Sequence, residues 1–356
     1  MLSKRAQSLV AGSTFNEMWE VMRDKWDMHE NPDGFVNLGV AENYLMRREL
    51  EAYLTKHVQI AGSNATYNDG PVGSQRLRTA LADFLSAQLK TAQPLEADQI
   101  VVTNGVSSAL EHVAWALADE GDAFLLGRPY YGEATLGLRP HVRTVAVTFV
   151  WREPCFTSVL SLPLDGVIDP ALVHIVWGIS KDFCANGWRL GCLVSPANPV
   201  LRAAVAAVAI YSYPSSIADH VVAQMLEDRA FTIKYLRKNR HRLNAAYKLV
   251  TDLLEKHSIP FATGTHAGLF VWVDLGHAYR RQHNLKRTDI DDSAVAYRIR
   301  EALYTHKVYL AWGGNFDSET QGMFRVSFAH PGKYIEEGFR RIELALQSKA
   351  LLLSVP

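Results

Sequence analysis

The sequence predicts an α/β fold, with a large domain on a mainly parallel sheet and a smaller α+β domain after it. Three observations carry this. Short apolar runs bounded by turn residues ("IVVT", "DAFLL", "LVHIVWGIS") surround an amphipathic helical segment. From Pro199 onward the pattern turns helical, and at "HAGLFVWVDL" it becomes mixed again. The length of 356 residues, with 48% hydrophobic side chains, suits two cores rather than one.

The clearest unit is "QIVVTNGVSSALEHVAWALADEGDAFLLGRPYY". "IVVT" reads as a buried strand, "SSALEHVAWALADE" as a helix opening at the serine pair, and "DAFLL" as the next strand. Leu110, Val113, Ala114 and Leu117 fall at helical spacing. Strand, crossover helix and strand in so short a span imply parallel pairing. "TVAVTFV" and "LVHIVWGIS" read as further strands, and "GWRLGCLVS" as the partner of the second. A long helix follows, with Leu236, Leu243, Tyr247, Val250 and Leu254 on one stripe. Lys234, Arg237, Lys238, Arg240 and Arg242 occupy its other faces, where a solvated surface is the expected reading. Strands at "KVYLAW" and "MFRVSFA" and a closing helix "YIEEGFRRIELAL" complete the chain. The expected division is 1–45 as an N-terminal arm and part of the small domain, 46–225 as the large domain, and 226–356 as the small C-terminal domain.

Thirty-seven basic residues balance thirty-seven acidic ones, so no global field favours nucleic acid or an anionic membrane. No apolar run has the length of a membrane span or a signal peptide, and a cytoplasmic protein is expected. Three cysteines, Cys155, Cys184 and Cys192, suit neither a disulfide framework nor a zinc site. No G-x-G-x-x-G, Walker loop, G-x-S-x-G or H-E-x-x-H occurs, which argues against a dehydrogenase, a P-loop nucleotidase, a serine hydrolase and a metalloprotease.

The chemistry gathers in "GISKDFCANGWRLG", residues 178–191. An apolar run delivers Lys181 into a loop, and Arg189 follows eight positions later between glycines. A lysine amine near fixed positive charge, or in a dry pocket, has a lowered pKa and condenses with an aldehyde. An arginine fork holds a dianion such as a phosphate. The aldehyde that also carries a phosphate is pyridoxal phosphate. "TNGVSS" places small residues at a strand end and helix start, where free N–H groups favour an anion. "RPYYGE" offers an aromatic ring for stacking.

Together these motifs resemble fold-type I pyridoxal-phosphate enzymes. More narrowly they resemble the 1-aminocyclopropane-1-carboxylate synthase-like branch of the class I–II aminotransferases, including fungal proteins of secondary metabolism. "NLGVAENYL" is similar to that branch's "GLAEN" motif, "YNDGPVGSQRLRTALADFL" to its tyrosine–glycine–arginine segment, and "MFRVSFA" to its carboxylate-arginine strand. The resemblance implies a fold-type I transferase fold with pyridoxal 5'-phosphate as cofactor and an amino acid as substrate. It makes Lys181 the lysine that binds the cofactor's aldehyde and Arg189 the phosphate arginine. Val106 and Ser107 become the phosphate-binding helix start, and Tyr131 the ring-stacking aromatic. Tyr67 would reach the phosphate of a neighbouring subunit, which implies a homodimer. Arg325 would pair with the substrate α-carboxylate, and Glu42 marks the branch, with catalytic and substrate-binding duties. Either transamination or elimination, including carbon–sulfur lysis, fits such a site.

One departure stands out. The family carries an Asn-Pro-x-Asn-Pro-x-Gly motif and then an Asp-Glu-x-Tyr motif between the stacking tyrosine and the lysine. The first supplies an asparagine to the cofactor's ring oxygen; the second supplies the aspartate that keeps the pyridine nitrogen protonated. Here 49 residues separate Tyr131 from Lys181 and neither motif is among them. The expected join lies near Phe149 to Trp151, with two strand–helix units of roughly 30 residues each absent. Asp165 and Asp169 are the nearest acidic residues, in a Pro/Gly-bounded loop. A truncated or degenerate member, inactive or merely dimerising, is the alternative to an active enzyme.

Overall fold

The computed structural model describes residues 2, 3, 7, 15–67, 69–119, 121–122 and 156–348. Tyr131, the expected strands at 123–126 and 144–150 and the expected join near Phe149 to Trp151 lie outside them.

The N-terminal part docks on the C-terminal part. Helix α1 (Phe15–Arg23) is followed by the short strand β1 (Val36–Asn37), which pairs in parallel with Val308 and Tyr309. Glu17 pairs with Arg300, and Glu20 accepts a 2.7 Å bond from the Tyr304 hydroxyl. Helices α2 (Arg47–His57) and α3 (Gln75–Leu89) lead into the large core. Ser74 starts α3 by accepting from the Leu77 amide at 3.0 Å, the ordinary role of a serine N-cap. Its own N–H and hydroxyl donate to buried Asp219 at 2.8 and 2.5 Å.

Strand β2 (Ile100–Thr103) feeds helix α4 (Gly105–Leu117). The helix begins two residues before the serine pair that the sequence suggests. The Ser108 hydroxyl donates back to the Asn104 carbonyl at 3.1 Å instead of capping the helix. Strand β3 (Ile175–Gly178) runs straight into the four-residue turn α5 (Ile179–Asp182), which carries Lys181, and the chain returns along β4 (Gly191–Val194). The expected pairing of the last two strands holds, with Trp177 opposite Cys192 and Gly178 opposite Gly191. The sheet order is β2-β4-β3. β2 and β3 therefore run parallel to each other, on either side of one antiparallel return strand.

Helices α6 (Pro199–Ala209) and α7 (Ser216–Glu227) precede the long α8 (Arg229–Lys256), 28 residues carrying the expected apolar stripe. Its basic face is only partly solvated. Arg242 makes a two-pronged contact with Glu49 at 2.8 and 2.9 Å, and Lys238 joins the same carboxylate. Burial of Glu49 works against its charge, but these two donors outweigh it and hold the carboxyl at about 2.

Strand β5 (Phe270–Asp274), helices α9 (Leu275–Gln282) and α10 (Asp292–Thr305), and strands β6 (Val308–Tyr309), β7 (Ala311–Trp312) and β8 (Met323–Ser327) follow, closed by α11 (Gly332–Gln347). "KVYLAW" is thus not one strand. Buried Leu310 divides it, β6 pairing with β1 and β7 with β8. One core unites Val36 and Leu38 with residues from Leu243 to Leu346; another gathers α2, α3, β2–β4 and the first turns of α8. Each fully buried Leu, Val or Phe contributes roughly 1.5–3 kcal/mol.

Candidate functional site

The lysine turn is fixed from below. Asp182 is fully buried and accepts from the Trp177 indole at 2.8 Å. Tyr235 of α8 donates to the Phe183 carbonyl at 3.0 Å, and Asn239 to the Asp182 carbonyl at 3.3 Å. Asn43 donates to Asn239 at 2.9 Å, so α8 also holds the segment that carries Glu42. Lys181 then projects the other way, its Nζ donating to the Ala41 carbonyl. The Asn186 side chain donates to that same carbonyl at 2.9 Å. Burial, reinforced by the Arg325 and Arg189 charges, lowers the Lys181 amine to about 8 against the opposing pull of Glu42. Cys184 is a packed thiol, pushed up to about 11 mainly by burial.

Beside the lysine, three glycines let β3, β4 and the start of α4 close together. A Cβ on Gly191 would lie 2.7 Å from the Gly105 carbonyl carbon, and one on Gly178 2.6 Å from Val106. Gly105 has φ +80, and a Cβ there would meet the Arg189 guanidinium at 2.6 Å. Arg189 itself has φ 51, and its Nη1 donates to the Asn186 backbone carbonyl at 3.1 Å. Its fork thus rests on the first turn of α4. No side chain at Asn104 caps that helix, and Ser107 lies exposed on its first turn. Amides at a helix start beside an arginine form an anion-binding arrangement.

Across the site, Arg325 sits on β8, the middle strand of its sheet, opposite Trp272 and Ala311. Alternation sends Phe324 and Val326 into the core and Arg325 to the other face. Its guanidinium lies between the rings of Phe270 and Phe316, at 4.0 and 4.5 Å, and donates to the Gly39 carbonyl at 2.8 Å. Glu42 lies in the irregular segment between β1 and α2. The Tyr44 hydroxyl donates to its carboxylate, and Tyr44 heads a stack in which Tyr44–His330 and His330–Tyr334 centroids are each 4.8 Å apart. Burial pushes His330 down to about 3, so the middle ring stays neutral.

Lys181, Arg189, Val106, Glu42 and Arg325 therefore converge. Tyr67 does not join them; it is 80% exposed. Tyr131 lies outside the described residues. The Ala41 and Gly39 carbonyls, Asn186, Tyr44 and the Phe270–Phe316 pair escaped the sequence reading. Their signal was proximity to motif residues: Tyr44 two positions past Glu42, Asn186 between Lys181 and Arg189.

The described residues fit pyridoxal phosphate at two ends, a buried low-pKa amine for its aldehyde and an arginine-backed helix start for its phosphate. They do not supply the ring-nitrogen acid. Asp165 and Asp169 are exposed, and Asp169 caps its own turn through the Ala171 amide at 2.9 Å. Among the described residues no cluster of metal-binding side chains occurs, and no helix is long and apolar enough to cross a membrane.

The profile of the family "Aminotransferase class I and II" matches residues 33–147 and 145–342. Its two matched segments meet within a few residues of the join expected from the missing motifs. A 1-aminocyclopropane-1-carboxylate synthase-like protein 1 of Takifugu rubripes is 28% identical, covering 91% of this chain; the chain spans 64% of that protein's length. That alignment runs over 407 positions, so the relative carries stretches this 356-residue chain lacks. A probable aminotransferase, gliI, of Aspergillus fumigatus is 25% identical over 96% of this chain and 95% of its own. A probable inactive 1-aminocyclopropane-1-carboxylate synthase-like protein 2 of Mus musculus is 26% identical, covering 96% of this chain and 71% of its own. Among solved structures, Pyrococcus protein-A1 has TM-score 0.75 at 19% identity, over 99% of this chain and 100% of its own. Aspartate aminotransferase of Thermotoga maritima has TM-score 0.69 at 18% identity, over 98% and 100%. The chain belongs to the class I and II aminotransferases, a pyridoxal-phosphate-dependent family of fold-type I, in the 1-aminocyclopropane-1-carboxylate synthase-like branch.

Proposed function

We propose that the chain binds pyridoxal phosphate through Lys181 and Arg189 and acts on an α-amino acid. The observation that carries this is the buried Lys181 amine, lowered to about 8 between Arg325 and Arg189. Near neutral pH such an amine is partly uncharged, as both a nucleophile and a base at a substrate carbon require.

Each residue has a task in this reading. Arg189 and the first amides of α4, with Val106 and Ser107, hold the phosphate dianion. Arg325, stacked against Phe270 and Phe316, receives the substrate α-carboxylate through its guanidinium. Lys181 would hold the cofactor's aldehyde, and its amine is the base placed to take the proton from the substrate α-carbon. Glu42, held by Tyr44, sets a negative charge beside the lysine and inclines the site towards elimination, carbon–sulfur lysis included. When bound, the cofactor supplies an electron sink for the α-carbon. Tyr67, exposed on one protomer, would serve the phosphate site of a second in a homodimer, and Tyr131 would stack on the ring. A cytoplasmic setting and a place in secondary metabolism belong to the same proposal.

The lack of a ring-nitrogen acid among the described residues favours a second reading. Without a partner for the ring nitrogen the sink is shallow, and the chain would hold the cofactor without turnover. One experiment tests both. The protein is incubated with pyridoxal phosphate, reduced with borohydride, and its labelled peptide mapped, alongside Lys181→Ala. Label on Lys181 with turnover of amino acids supports the enzyme; label without turnover supports the inactive form. Folded protein carrying no label at Lys181 overturns the cofactor reading itself.

A further inference from the structure

Two donors share one acceptor in this site, so that either can hold it when the other leaves. Lys181 Nζ and Asn186 Nδ2 both donate to the Ala41 carbonyl, the second at 2.9 Å. That carbonyl belongs to the segment linking Asn37 to Glu42, whose Gly39 carbonyl binds Arg325 in the same way. To react with an aldehyde the lysine must let go of Ala41. A lone acceptor would then be left unpaired in a partly buried site, which opposes the departure. The Asn186 amide is already seated there and keeps the carbonyl bonded whichever way the lysine points. The amide can do this because its own Oδ1 is buried and makes no hydrogen bond, so no second contact dictates its orientation. The backbone of Asn186 is fixed as well, since its carbonyl receives the Arg189 guanidinium at 3.1 Å.

We infer that Asn186 is a positioning residue for Lys181, a stand-in donor that holds the Ala41 carbonyl and so frees the lysine amine to react. This rests on the cofactor reading for its purpose, but not for its test. Besides Asn186, the groups facing the amine are Arg325 on β8, Glu42 beside Ala41, and Arg189 after the lysine turn. None of these changes when Asn186 is replaced.

In the cofactor-free protein, the amine is titrated by the pH dependence of Lys181 acylation with trace acetic anhydride, read by peptide mapping. In Asn186→Ala the Ala41 carbonyl serves the lysine alone, and a bond to the charged form favours that form. The midpoint should therefore rise by about one pH unit from about 8. The rate of capture of pyridoxal phosphate at pH 7.5, followed by absorbance, should fall about tenfold. Asn186→Gln, which keeps a side-chain amide, should recover part of both effects. Asn186→Ala with unchanged midpoint and capture rate, and unchanged far-UV circular dichroism, overturns the inference. So does Asn186→Gln behaving like the alanine variant while folded. If the parent captures no cofactor, the functional reading fails and the acylation midpoint still decides the role of Asn186.

Discussion

Lys181 and Arg325 face one another across the same strap of backbone, yet their surroundings are opposites. The lysine sits on a four-residue turn at a strand end, is half-buried, shares its acceptor, and has its amine lowered to about 8. The arginine stands on the middle strand of a sheet, clamped between two aromatic rings, with Gly39 as acceptor. One environment makes a charge easy to lose and a side chain easy to release. The other holds a permanent charge in one plane. A site that must move a proton at one atom and hold a carboxylate at another needs both kinds of surroundings.

The strongest way to break this contrast is to remove the soft end. Lys181→Met should abolish borohydride-trapped labelling altogether. It should also stabilise the cofactor-free protein at pH 7, by about 3 kcal/mol, because holding a mostly charged amine in that site opposes folding. The sign follows from linkage. With the folded pKa depressed below the unfolded one, the unfolded chain binds more protons between the two values. The parent's stability deficit is therefore full below about pH 8 and fades as pH rises towards 10.5, where urea midpoints of parent and variant should converge. Equal midpoints at pH 7 would mean the amine is not strained by its site.

Next in size is the hard end. Arg325→Ala should weaken α-amino-acid binding about 100-fold, roughly 3 kcal/mol, read as the amino-acid concentration that perturbs the bound cofactor's absorbance. Cofactor affinity should change far less. The anion site between the two is sharpened by Gly105→Ala. A methyl group there lies 2.6 Å from Arg189 on a backbone at φ +80, so pyridoxal-phosphate affinity should fall about tenfold. The smallest effect is expected from Phe316→Leu, which keeps the bulk but removes one aromatic face. Amino-acid binding should weaken three- to fivefold, roughly 1 kcal/mol, with labelling of Lys181 intact. A larger loss than that of Arg325→Ala would show that Phe316 supports the fold rather than the arginine.

Much of this was legible in the residues. The apolar run ending at Lys181, the glycines around Arg189 and the alternation of "MFRVSFA" each express a local rule, burial of a strand or period-two patterning. The reading failed where long-range packing decides. Nothing local marks Leu310 as the break in "KVYLAW"; the break exists because its two halves find partners in different sheets. Arg242 reads as a surface charge until Glu49, supplied by tertiary packing, gives it a fixed position. The backbone acceptors Gly39 and Ala41 were invisible for a simpler reason. A carbonyl is common to every residue, so no side-chain pattern can announce it.

Helix α8 has a mechanical consequence. Tyr235 and Leu236 lie in the core beneath the lysine turn, whereas Leu243, Tyr247, Val250 and Leu254 lie in the core behind the arginine strand. A single continuous rod is shared by both. Loosening either core withdraws one end of the rod's support and destabilises the other, so neither half has a native form of its own to retain on heating. The chain should melt in one step rather than two.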